Sequence, residues 1–399
     1  MGEPRRVIVL GSTGSIGRQT LDVLGRLGGG HRVVGLAAGS DAAGLSVQAR
    51  RAACADVAIA DGRADADWNG LRVRRGADAA EALVREVDAD VVVAAIVGSA
   101  GLGATLAALE LGRDVAIANK ETLVSAGAIA ARLAHASGAR LLPIDSEHSG
   151  VWQCLPGWPA CPLTADPSVA RVTLTASGGA LRGASDGAYF SASAEEALAH
   201  PTWDMGAKVT VDCATLMNKG LELIEARWLF GLGNDRLDVL VHPQSIVHAL
   251  VEMRDGSVIA QVGTTDMRTA IQAALTWPDR SAAPAARLDL ASVGRLEFEA
   301  PDLGRHVALG LARRVIDEGG TFGAALTAAN EEAVGAFLAG RIPLGRAPEL
   351  AGEAMERIGR SDAALGRDLE LADVVGAESA ARELVRASVG AAASGAARE

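Results

Sequence analysis

The sequence predicts an α/β protein that begins with a Rossmann-like doubly wound domain, continues with an α+β domain and ends in a helical bundle. Between residues 6 and 144, short β-branched runs alternate with helical stretches, as is typical of a parallel sheet with crossover helices. After residue 150 the pattern changes to separate strands and a hairpin signal. From about residue 303 the chain is rich in Ala and Leu with helical period, which predicts a structural bundle.

The doubly wound domain is predicted from five buried strands and the helices between them. The strand segments are RVIVLG, RVVGLA, DVVVAAIVG, DVAIAN and ARLLPI. The helical stretches are 77–87, 101–112 and 121–137. Ligands of such sheets bind at the carboxyl ends of the strands, so candidate site residues are sought there.

The α+β domain is predicted from two strands, a hairpin and a strand-to-helix segment. ARVTLTAS and AKVTVDC are predicted strands, and HALVEMRDGSVIAQVG is a predicted hairpin that turns at Asp255 and Gly256. TVDCATLMNKGLELIEARWLF is predicted to run from a strand into a helix. Three prolines mark 277–302 as a connecting segment, and the tail SVGAAASGAARE is expected to fray. The predicted domains are therefore 1–145, 146–276 and 303–399, with 277–302 as a linker.

Composition narrows the class of protein. The 399 residues are 49% hydrophobic and 22% charged, as in ordinary globular proteins of two or three domains. The net charge of −11 argues against nucleic acid or an anionic membrane as a partner. Neither a signal peptide nor an apolar run of roughly 18 residues is recognisable. Four cysteines without C-x-x-C or zinc-finger spacing predict reduced thiols in a cytoplasmic protein.

A glycine-rich loop follows the first predicted strand. In VIVLGSTGSIGRQTLDVL, Gly11, Gly14 and Gly17 lie between a strand and a helix. Glycines permit a tight turn there, and a helix N-terminus offers free N–H groups to a pyrophosphate. The spacing is G-x-x-G-x-x-G rather than G-x-G-x-x-G, so the alternative is a glycine-rich turn without a ligand.

The residues after the second strand leave the choice between NAD and NADP open. Asp41 lies where an acidic residue would hold the ribose 2′-hydroxyl, which favours NAD. Ser40 could instead hydrogen-bond a 2′-phosphate, with Arg50 and Arg51 nearby in sequence. Asp41 is equally well placed to be the N-cap of the helix that follows.

The segment LLPIDSEHSG places two carboxylates at the end of a buried strand. In an extended segment Asp145 and Glu147 would point the same way, with their Cα atoms roughly 6.5–7 Å apart. A divalent cation with oxygen ligands would remove their repulsion. The alternative is that the strand has ended and that both carboxylates are solvated.

Further candidate residues occur at helix starts and in loops. On the helix of NKGLELIEARWLF, Asn218, Glu222 and Glu225 share one face, beside Lys219; the alternative is a solvated polar face. Ser177 lies in a small-residue turn that could bind an anion. Polar residues at a predicted helix start and in a loop complete the candidates: Asn119, Lys120 and Glu121, and His200 with Trp203.

Taken together, eight ordered motifs resemble the 1-deoxy-D-xylulose 5-phosphate reductoisomerase family over essentially the whole chain. They are GSTGSIG, ANKETLVSAG, PIDSEHS, TASGG, HPTWDMG, NKGLELIEARWLF, VHPQSIVH and DMRTAI. The resemblance implies a homodimer with an N-terminal NADPH domain, a central catalytic domain and a C-terminal helical bundle. It also implies metal-dependent isomerisation of a ketose phosphate, followed by reduction of the branched aldehyde to 2-C-methyl-D-erythritol 4-phosphate in non-mevalonate isoprenoid biosynthesis.

The resemblance also implies roles for individual residues. Mg²⁺ or Mn²⁺, with Co²⁺ as a further candidate, would be held by Asp145, Glu147 and Glu222. Substrate would contact Lys120, Ser146 and His200, and its phosphate would contact Ser177, Cys213, Asn218 and Lys219 under a flexible lid that contains Trp203. The cofactor would be lined by Thr13, Gly14, Ser15, Ile16, Gly39, Ser40, Asp41, Asn119, Glu121 and Gly206.

Two departures from the family pattern and two rival functions follow. Cys213 stands where the family usually has serine, and residues 39–41 lack the basic residue that many relatives carry. An aspartate-semialdehyde type of dehydrogenase would need Cys154, Cys161 or Cys213 as nucleophile. A catalytically dead dinucleotide-binding regulator would have no reason to keep three carboxylates with an Asn-Lys pair.

Overall fold

The computed structural model describes residues 3–396 except positions 62, 64 and 204. The chain divides into two compact units. Unit 1 comprises the residues up to Thr122, Ala130–Leu163 and Asp266–Leu288, and unit 2 comprises Leu123–Ile129, Thr164–Thr265 and the residues from Asp289 onward. In the described part of the chain, every helix is too short or too polar to span a lipid bilayer. The domain boundaries drawn from the sequence remain a prediction.

Eleven strands are present in the described residues. In chain order they are β1 (Arg5–Leu10), β2 (His31–Ala38), β3 (Asp56–Ile59), β4 (Arg72–Arg75), β5 (Val91–Ala94), β6 (Asp114–Ile117), β7 (Leu141–Pro143), β8 (Val169–Ala176), β9 (Leu237–Val241), β10 (Val247–Met253) and β11 (Val258–Val262).

The α-helices follow the same chain order. They are α1 (Ser15–Leu27), α2 (Ala42–Arg51), α3 (Ala79–Glu86), α4 (Leu102–Glu110), α5 (Lys120–Ser137), α6 (Ser146–Cys154), α7 (Asp186–Phe190), α8 (Ala194–Leu198), α9 (Ala207–Ala214), α10 (Met217–Phe230), α11 (Met267–Thr276), α12 (Leu290–Val293), α13 (Val307–Glu318), α14 (Phe322–Leu338), α15 (Arg346–Ile358), α16 (Asp362–Leu365) and α17 (Leu371–Ala396).

Unit 1 is built on a seven-stranded parallel sheet in the order β4-β3-β2-β1-β5-β6-β7. The carboxyl-terminal halves of β1 and β2 and all of β5 and β6 are buried and apolar apart from Asp114, as expected of strands covered on both faces. Strand order reverses at β1, which lies between β2 and β5. Such a switch point is where doubly wound sheets bind dinucleotides, and the predicted Rossmann-like domain is therefore confirmed.

Unit 2 combines a four-stranded sheet with helices. The sheet order is β11-β10-β8-β9, with β10 antiparallel to both β8 and β11, so the predicted hairpin is confirmed. The C-terminal helices α13, α14, α15 and α17 pack around an Ala-rich core that also receives Met217, Leu221 and Ile224 of α10. Small side chains let these helices approach closely, which places α10 inside the core.

Two segments differ from the secondary structure predicted for them. AKVTVDC was predicted to be a strand, but it forms α9, with Lys208 Nζ 2.9 Å from Asp212 Oδ2 one helical turn away. The strands β3, β4 and β9 were not predicted. The tail was expected to fray from residue 388, yet its backbone remains helical to Ala396. Positions 397–399 lie outside the described residues.

Candidate active-site residues

The glycine loop after β1 has a backbone that side chains would block. Gly11 has φ of +76°, and a Cβ added there would lie 2.3 Å from the Ala95 carbonyl oxygen. A Cβ on Gly17 would lie 2.3 Å from the Gly11 oxygen, whereas one on Gly14 would meet that oxygen at 3.2 Å. Two glycines are therefore needed for the turn itself, and the third leaves the exposed end of the loop flat.

The N-terminus of α1 is suited to bind an anion. Gly14 is the N-cap, and because it has no side chain it does not cap the first N–H groups of the helix. The first turn holds no acidic residue, and Gly14 and Ser15 are exposed. The unsatisfied N–H groups and the helix dipole can therefore receive a pyrophosphate, for which Thr13, Ser15 and Ile16 lie in the same turn.

Asp41 acts as the N-cap of α2. Its Oδ1 accepts a hydrogen bond from Gly44 N at 2.9 Å, which is one of the two roles predicted for it. Gly39 and Ser40 are exposed at the carboxyl end of β2. Arg50 is not available to a cofactor phosphate in this arrangement, since its Nη2 lies 2.6 Å from Asp67 Oδ2.

The two carboxylates of PIDSEHS do not lie on an extended segment. Asp145 is the N-cap of α6, and its side chain accepts from Glu147 N at 3.2 Å. The expected strand geometry is therefore wrong: β7 ends at Pro143, and the two carboxylates share the first turn of a helix. Ser146 Oγ donates to Glu147 Oε2 in the same turn. All three side chains are half-buried.

Lys120 joins this turn from the start of α5. Asn119 is the N-cap of α5 and accepts from Thr122 N at 2.7 Å, while its amide donates to Gly98 O at 2.9 Å. These bonds fix the buried helix start, so that Lys120 Nζ lies 3.1 Å from Asp145 Oδ2. The prediction of a polar helix start is confirmed, and Glu121 is also buried there.

Ser177 and His200 form a hydrogen-bonded pair in unit 2. Ser177 Oγ lies 2.8 Å from His200 Nε2, and Gly179 N donates to the same oxygen at 3.1 Å. His200 Nδ1 accepts from Thr202 N at 3.2 Å and from Trp203 N at 3.0 Å. Because Nδ1 is an acceptor, the ring proton of neutral His200 sits on Nε2 and is donated to Ser177.

This arrangement has an electrostatic consequence. Burial lowers the pKa of His200 below its ordinary value, which keeps the imidazole neutral near neutral pH. Ser177 Oγ accepts two hydrogen bonds, so its own proton remains to be donated outward. A serine that can only donate is matched to an anion such as a phosphate oxygen.

Helix α10 carries a buried polar cluster rather than a solvated face. Asn218, Lys219, Glu222 and Glu225 are all at most 9% exposed. Asn218 Nδ2 donates to Glu222 Oε1, and Lys219 Nζ is ion-paired with Glu222 Oε2. The shared face of Asn218 and Glu222 is confirmed, and the alternative of a solvated polar face is wrong.

The cysteines differ in exposure. Cys213 is partly exposed near the end of α9, whose N-cap is the exposed Gly206. Burial raises the pKa of Cys154 to about 11 and that of Cys161 still further. A nucleophilic role for either buried thiol, as the dehydrogenase rival requires, is therefore disfavoured.

One buried charge escaped the sequence reasoning. Asp212 is completely buried and accepts from Asn330 Nδ2 at 2.9 Å in addition to its ion pair with Lys208. The i, i+4 spacing of Lys208 and Asp212 was the available signal. This network ties α9, and with it Cys213, to α14.

These features define a class. A doubly wound sheet with a glycine loop open at a helix N-terminus is typical of dinucleotide-binding enzymes. Unit 1 adds a carboxylate pair whose oxygens suit a divalent metal. Three family models match the chain: 1-deoxy-D-xylulose 5-phosphate reductoisomerase at residues 7–127, its C-terminal domain at 141–230, and the DXP reductoisomerase C-terminal domain at 262–384. The chain belongs to the 1-deoxy-D-xylulose 5-phosphate reductoisomerase family.

Individual relatives agree with this assignment. The reductoisomerase of Symbiobacterium thermophilum is 48% identical over 362 residues, which cover 88% of this chain and 91% of the relative. That of Xanthomonas axonopodis pv. citri is 47% identical over 368 residues, with 90% and 92% covered. A solved structure of the Zymomonas mobilis enzyme with NADPH is 39% identical, with a TM-score of 0.87 and coverage of 98% and 99%. A DOX-P reductoisomerase with NADPH, fosmidomycin and magnesium is 35% identical, with a TM-score of 0.89 and coverage of 97% and 98%.

Proposed function

We propose a residue-by-residue assignment for the reaction of this family. The chain isomerises 1-deoxy-D-xylulose 5-phosphate and reduces the product to 2-C-methyl-D-erythritol 4-phosphate, a step in isoprenoid precursor biosynthesis. Its cofactors are NADPH and a divalent metal ion. When bound, NADPH supplies the hydride, and the metal supplies Lewis acidity toward the carbonyl and hydroxyl oxygens of the substrate. The observation that carries the assignment is the Asn218-Lys219-Glu222 cluster, in which an amide, an ammonium and a carboxylate are all buried and bonded to one another.

The glycine loop is the proposed cradle of NADPH. The residues that would line the cofactor are Thr13, Gly14, Ser15, Ile16, Gly39, Ser40, Asp41, Asn119, Glu121 and Gly206. The fit of the loop rests on Gly11 and Gly17, whose Cβ positions are already occupied by backbone atoms. A pyrophosphate can approach such a flat loop closely and be bound by the amides of α1.

Asp145, Glu147 and Glu222 are the proposed metal ligands. All three offer hard oxygen donors, which suit Mg²⁺ or Mn²⁺, with Co²⁺ as a further candidate. In unit 1 the ammonium of Lys120 lies 3.1 Å from Asp145 Oδ2, and in unit 2 that of Lys219 is paired with Glu222. Asp145 and Glu222 are thus each paired with a lysine ammonium at the proposed metal site.

The substrate phosphate is assigned to residues that donate hydrogen bonds. Ser177, Asn218 and Lys219 provide a hydroxyl, an amide and an ammonium, and Cys213 contributes a weaker thiol donor. Binding energy from this remote phosphate can be used to exclude water and to orient the reacting carbons. Lys120, Ser146 and His200 are assigned to the substrate itself, and Trp203 to the lid.

The assignment is tested by NADPH oxidation with 1-deoxy-D-xylulose 5-phosphate, with and without EDTA. We expect turnover to disappear in EDTA and to return with Mg²⁺ or Mn²⁺. Glu222→Gln should weaken metal binding, measured by calorimetry, and abolish turnover. Glu349→Gln, at an exposed position of α15, is the control and should keep the metal affinity. Full turnover without any divalent ion would refute the assignment.

A homodimer is proposed from the edge of the sheet in unit 2. Strand β11 is one of the two edge strands, and its Val258 and Ile259 are 58% and 42% exposed. A long apolar edge with open backbone groups favours association with a second copy. Sedimentation velocity should give a dimer for the protein, and Ile259→Lys should shift it toward monomer. A monomer at micromolar concentration would contradict this proposal.

The cytoplasm is the proposed location. All four cysteines are free, and three of them are buried as reduced thiols. Cell fractionation of the native host should place the activity in the soluble fraction, and activity recovered with membranes would argue against it.

A further inference from the structure

The 2′-phosphate of NADPH calls for a positively charged side chain, and residues 39–41, where many relatives carry one, do not supply it. The segment after β2 reads Gly39-Ser40-Asp41, and Asp41 is committed to Gly44 N as an N-cap. A carboxylate at this place repels a 2′-phosphate. Since the proposed function requires NADPH, we look to another element of unit 1 for the positive charge that binds the 2′-phosphate.

The carboxyl end of β3 lies next to this segment. Strands β2 and β3 are parallel and pair Ala38 with Ile59. Beyond the strands, Ala60 N donates to Ala38 O at 3.1 Å and Asp61 N donates to Gly39 O at 2.9 Å. The loop that follows β3 is therefore bonded to the residue immediately before Ser40.

Arg63 lies in that loop. It is two residues beyond Asp61, so the two Cα atoms are within about 7 Å of each other. Arg63 N donates to Asp61 Oδ1 at 3.0 Å, which holds the turn in place. The side chain is exposed, and among the described residues Arg63 has no acidic partner. A long guanidinium at this point is within reach of a group bound beside Ser40.

Four arginines of α2 and β4 already contact other side chains. Arg50 is paired with Asp67, and Arg72 and Arg74 are both paired with Asp56. Arg75 stacks on Trp68 with its guanidinium carbon 5.3 Å from the ring centroid.

Arg51 is excluded by its position in the helix. It is the last residue of α2, which begins at Ala42. A ten-residue helix is about 15 Å long, so Arg51 lies far from Ser40 at the opposite end.

We propose that Arg63 binds the 2′-phosphate of NADPH and sets the preference for NADPH over NADH in this chain. The guanidinium offers paired N–H donors that match phosphate oxygens, and the hydroxyl of Ser40 adds a further donor. Asp41 and Asp61 flank the same place and oppose the phosphate charge. The preference for NADPH is therefore smaller than Arg63 alone would give.

The first test measures binding without catalysis. Calorimetry compares the affinities of the whole protein for 2′,5′-ADP and 5′-AMP, which differ by the 2′-phosphate. Arg63→Gln should weaken 2′,5′-ADP binding about tenfold or more and leave 5′-AMP unchanged, as expected for one lost charge-assisted contact. Arg51→Gln is the matched control and should change neither affinity.

The second test measures selectivity. In Arg63→Gln the ratio of kcat/KM for NADPH to that for NADH should fall by the same factor, through KM for NADPH. Asp41→Asn keeps an N-cap side chain and removes the opposing charge, so it should raise the ratio.

The tests distinguish a failure of the role given to Arg63 from a failure of the proposed function. An unchanged nucleotide ratio in Arg63→Gln, or equal losses for both nucleotides, would overturn the role of Arg63 while leaving the proposed function intact. A wild-type protein that oxidises neither nucleotide with the substrate would overturn the proposed function instead.

Discussion

Two loops that we propose to bind anions differ in the groups that they offer to a ligand. The cofactor loop, residues 11–17 of unit 1, and the phosphate loop, residues 177–179 of unit 2, each follow a strand and are rich in small residues. The cofactor loop offers backbone N–H groups at the start of α1 and has no lysine. The phosphate loop offers the hydroxyl of Ser177, which is oriented by His200.

The two loops share a need for glycine and differ in the charged side chains assigned to them. Gly178 and Gly179 have φ of +82° and +69°, and a Cβ on Gly179 would lie 2.6 Å from Ala214 Cα. Both loops therefore need glycine for close packing, and the proposed phosphate site also includes a formal positive charge, that of Lys219. We expect the cofactor loop to be sensitive to added atoms and the phosphate site to be sensitive to removed charge.

The largest effect is expected from Lys219→Met. Glu222 is 1% exposed, and it would become a buried carboxylate that has lost its ion-pair partner. The free energy of unfolding should fall by about 3–5 kcal/mol. Urea unfolding measures this, and turnover should be lost at the same time.

The double variant Lys219→Met/Glu222→Gln separates the two losses. It should recover most of the stability, since neither member of the ion pair remains charged, but no turnover. Equal free energies of unfolding for the single and the double variant would show that the ion pair does not stabilise the cluster.

A smaller loss is expected from Gly17→Ala. The added Cβ would overlap the Gly11 oxygen and the Ser12 backbone, so the loop must shift. We expect a cost of about 2–3 kcal/mol and a loss of NADPH binding, measured by fluorescence titration. Gly25→Ala lies in the same helix with open space around it and should leave NADPH affinity unchanged. Equal affinities in the two variants would contradict the role given to the backbone.

An intermediate effect is expected at His200. His200→Asn can still accept from the backbone N–H groups of Thr202 and Trp203 but is too short to reach Ser177. KM for substrate should therefore rise about 5- to 30-fold, as expected for the loss of one buried hydrogen bond. Steady-state kinetics against substrate concentration measures this. A KM within twofold of wild type would mean that Ser177 does not depend on His200.

The pH dependence of stability follows from the same residue. Because the folded pKa of His200 lies below the unfolded value of 6.5, the unfolded chain binds a proton first as pH falls. The contribution of His200 to stability is complete above about pH 6.5, declines as pH drops below that value, and stops declining below the folded pKa. The difference between wild type and His200→Asn in urea midpoints should show this trend.

The smallest effect is expected from Cys213→Ser. A hydroxyl donates better than a thiol, so phosphate binding should improve by about 0.5–1.5 kcal/mol and KM should fall roughly 2- to 12-fold. Cys54→Ser, where Sγ already donates to Asp56 O at 3.4 Å, is the control and should leave KM unchanged. A KM that stays put or rises in Cys213→Ser would count against the phosphate contact.

The sequence predicted the apolar strands of unit 1 correctly, for a physical reason. Parallel strands buried on both faces are apolar runs, and β1, β2, β5, β6 and β7 were all predicted. The segment of α9 alternates β-branched and polar residues as an exposed strand would. It is a helix because Asp212 is buried against Lys208 and Asn330, a partner 118 residues away that no local pattern contains.

The carboxylate turn shows the same limit at short range. The residue types Asp145 and Glu147 pointed to a metal, but the assumed strand geometry was wrong because Asp145 caps α6. An N-cap aspartate is a local signal and was available in the sequence. The buried pair of Lys219 and Glu222 was not, since i, i+3 spacing does not distinguish a solvated face from a buried one.

The sequence by itself determined the family, the glycine loop, the hairpin and the residue types of the site, because motifs and periodicity are properties of neighbouring residues. Only the tertiary structure decided which ionisable groups are buried, which tautomer His200 adopts and which arginines are paired with carboxylates. Those properties depend on desolvation and on partners brought together from distant positions, and such contacts exist only once the chain has folded.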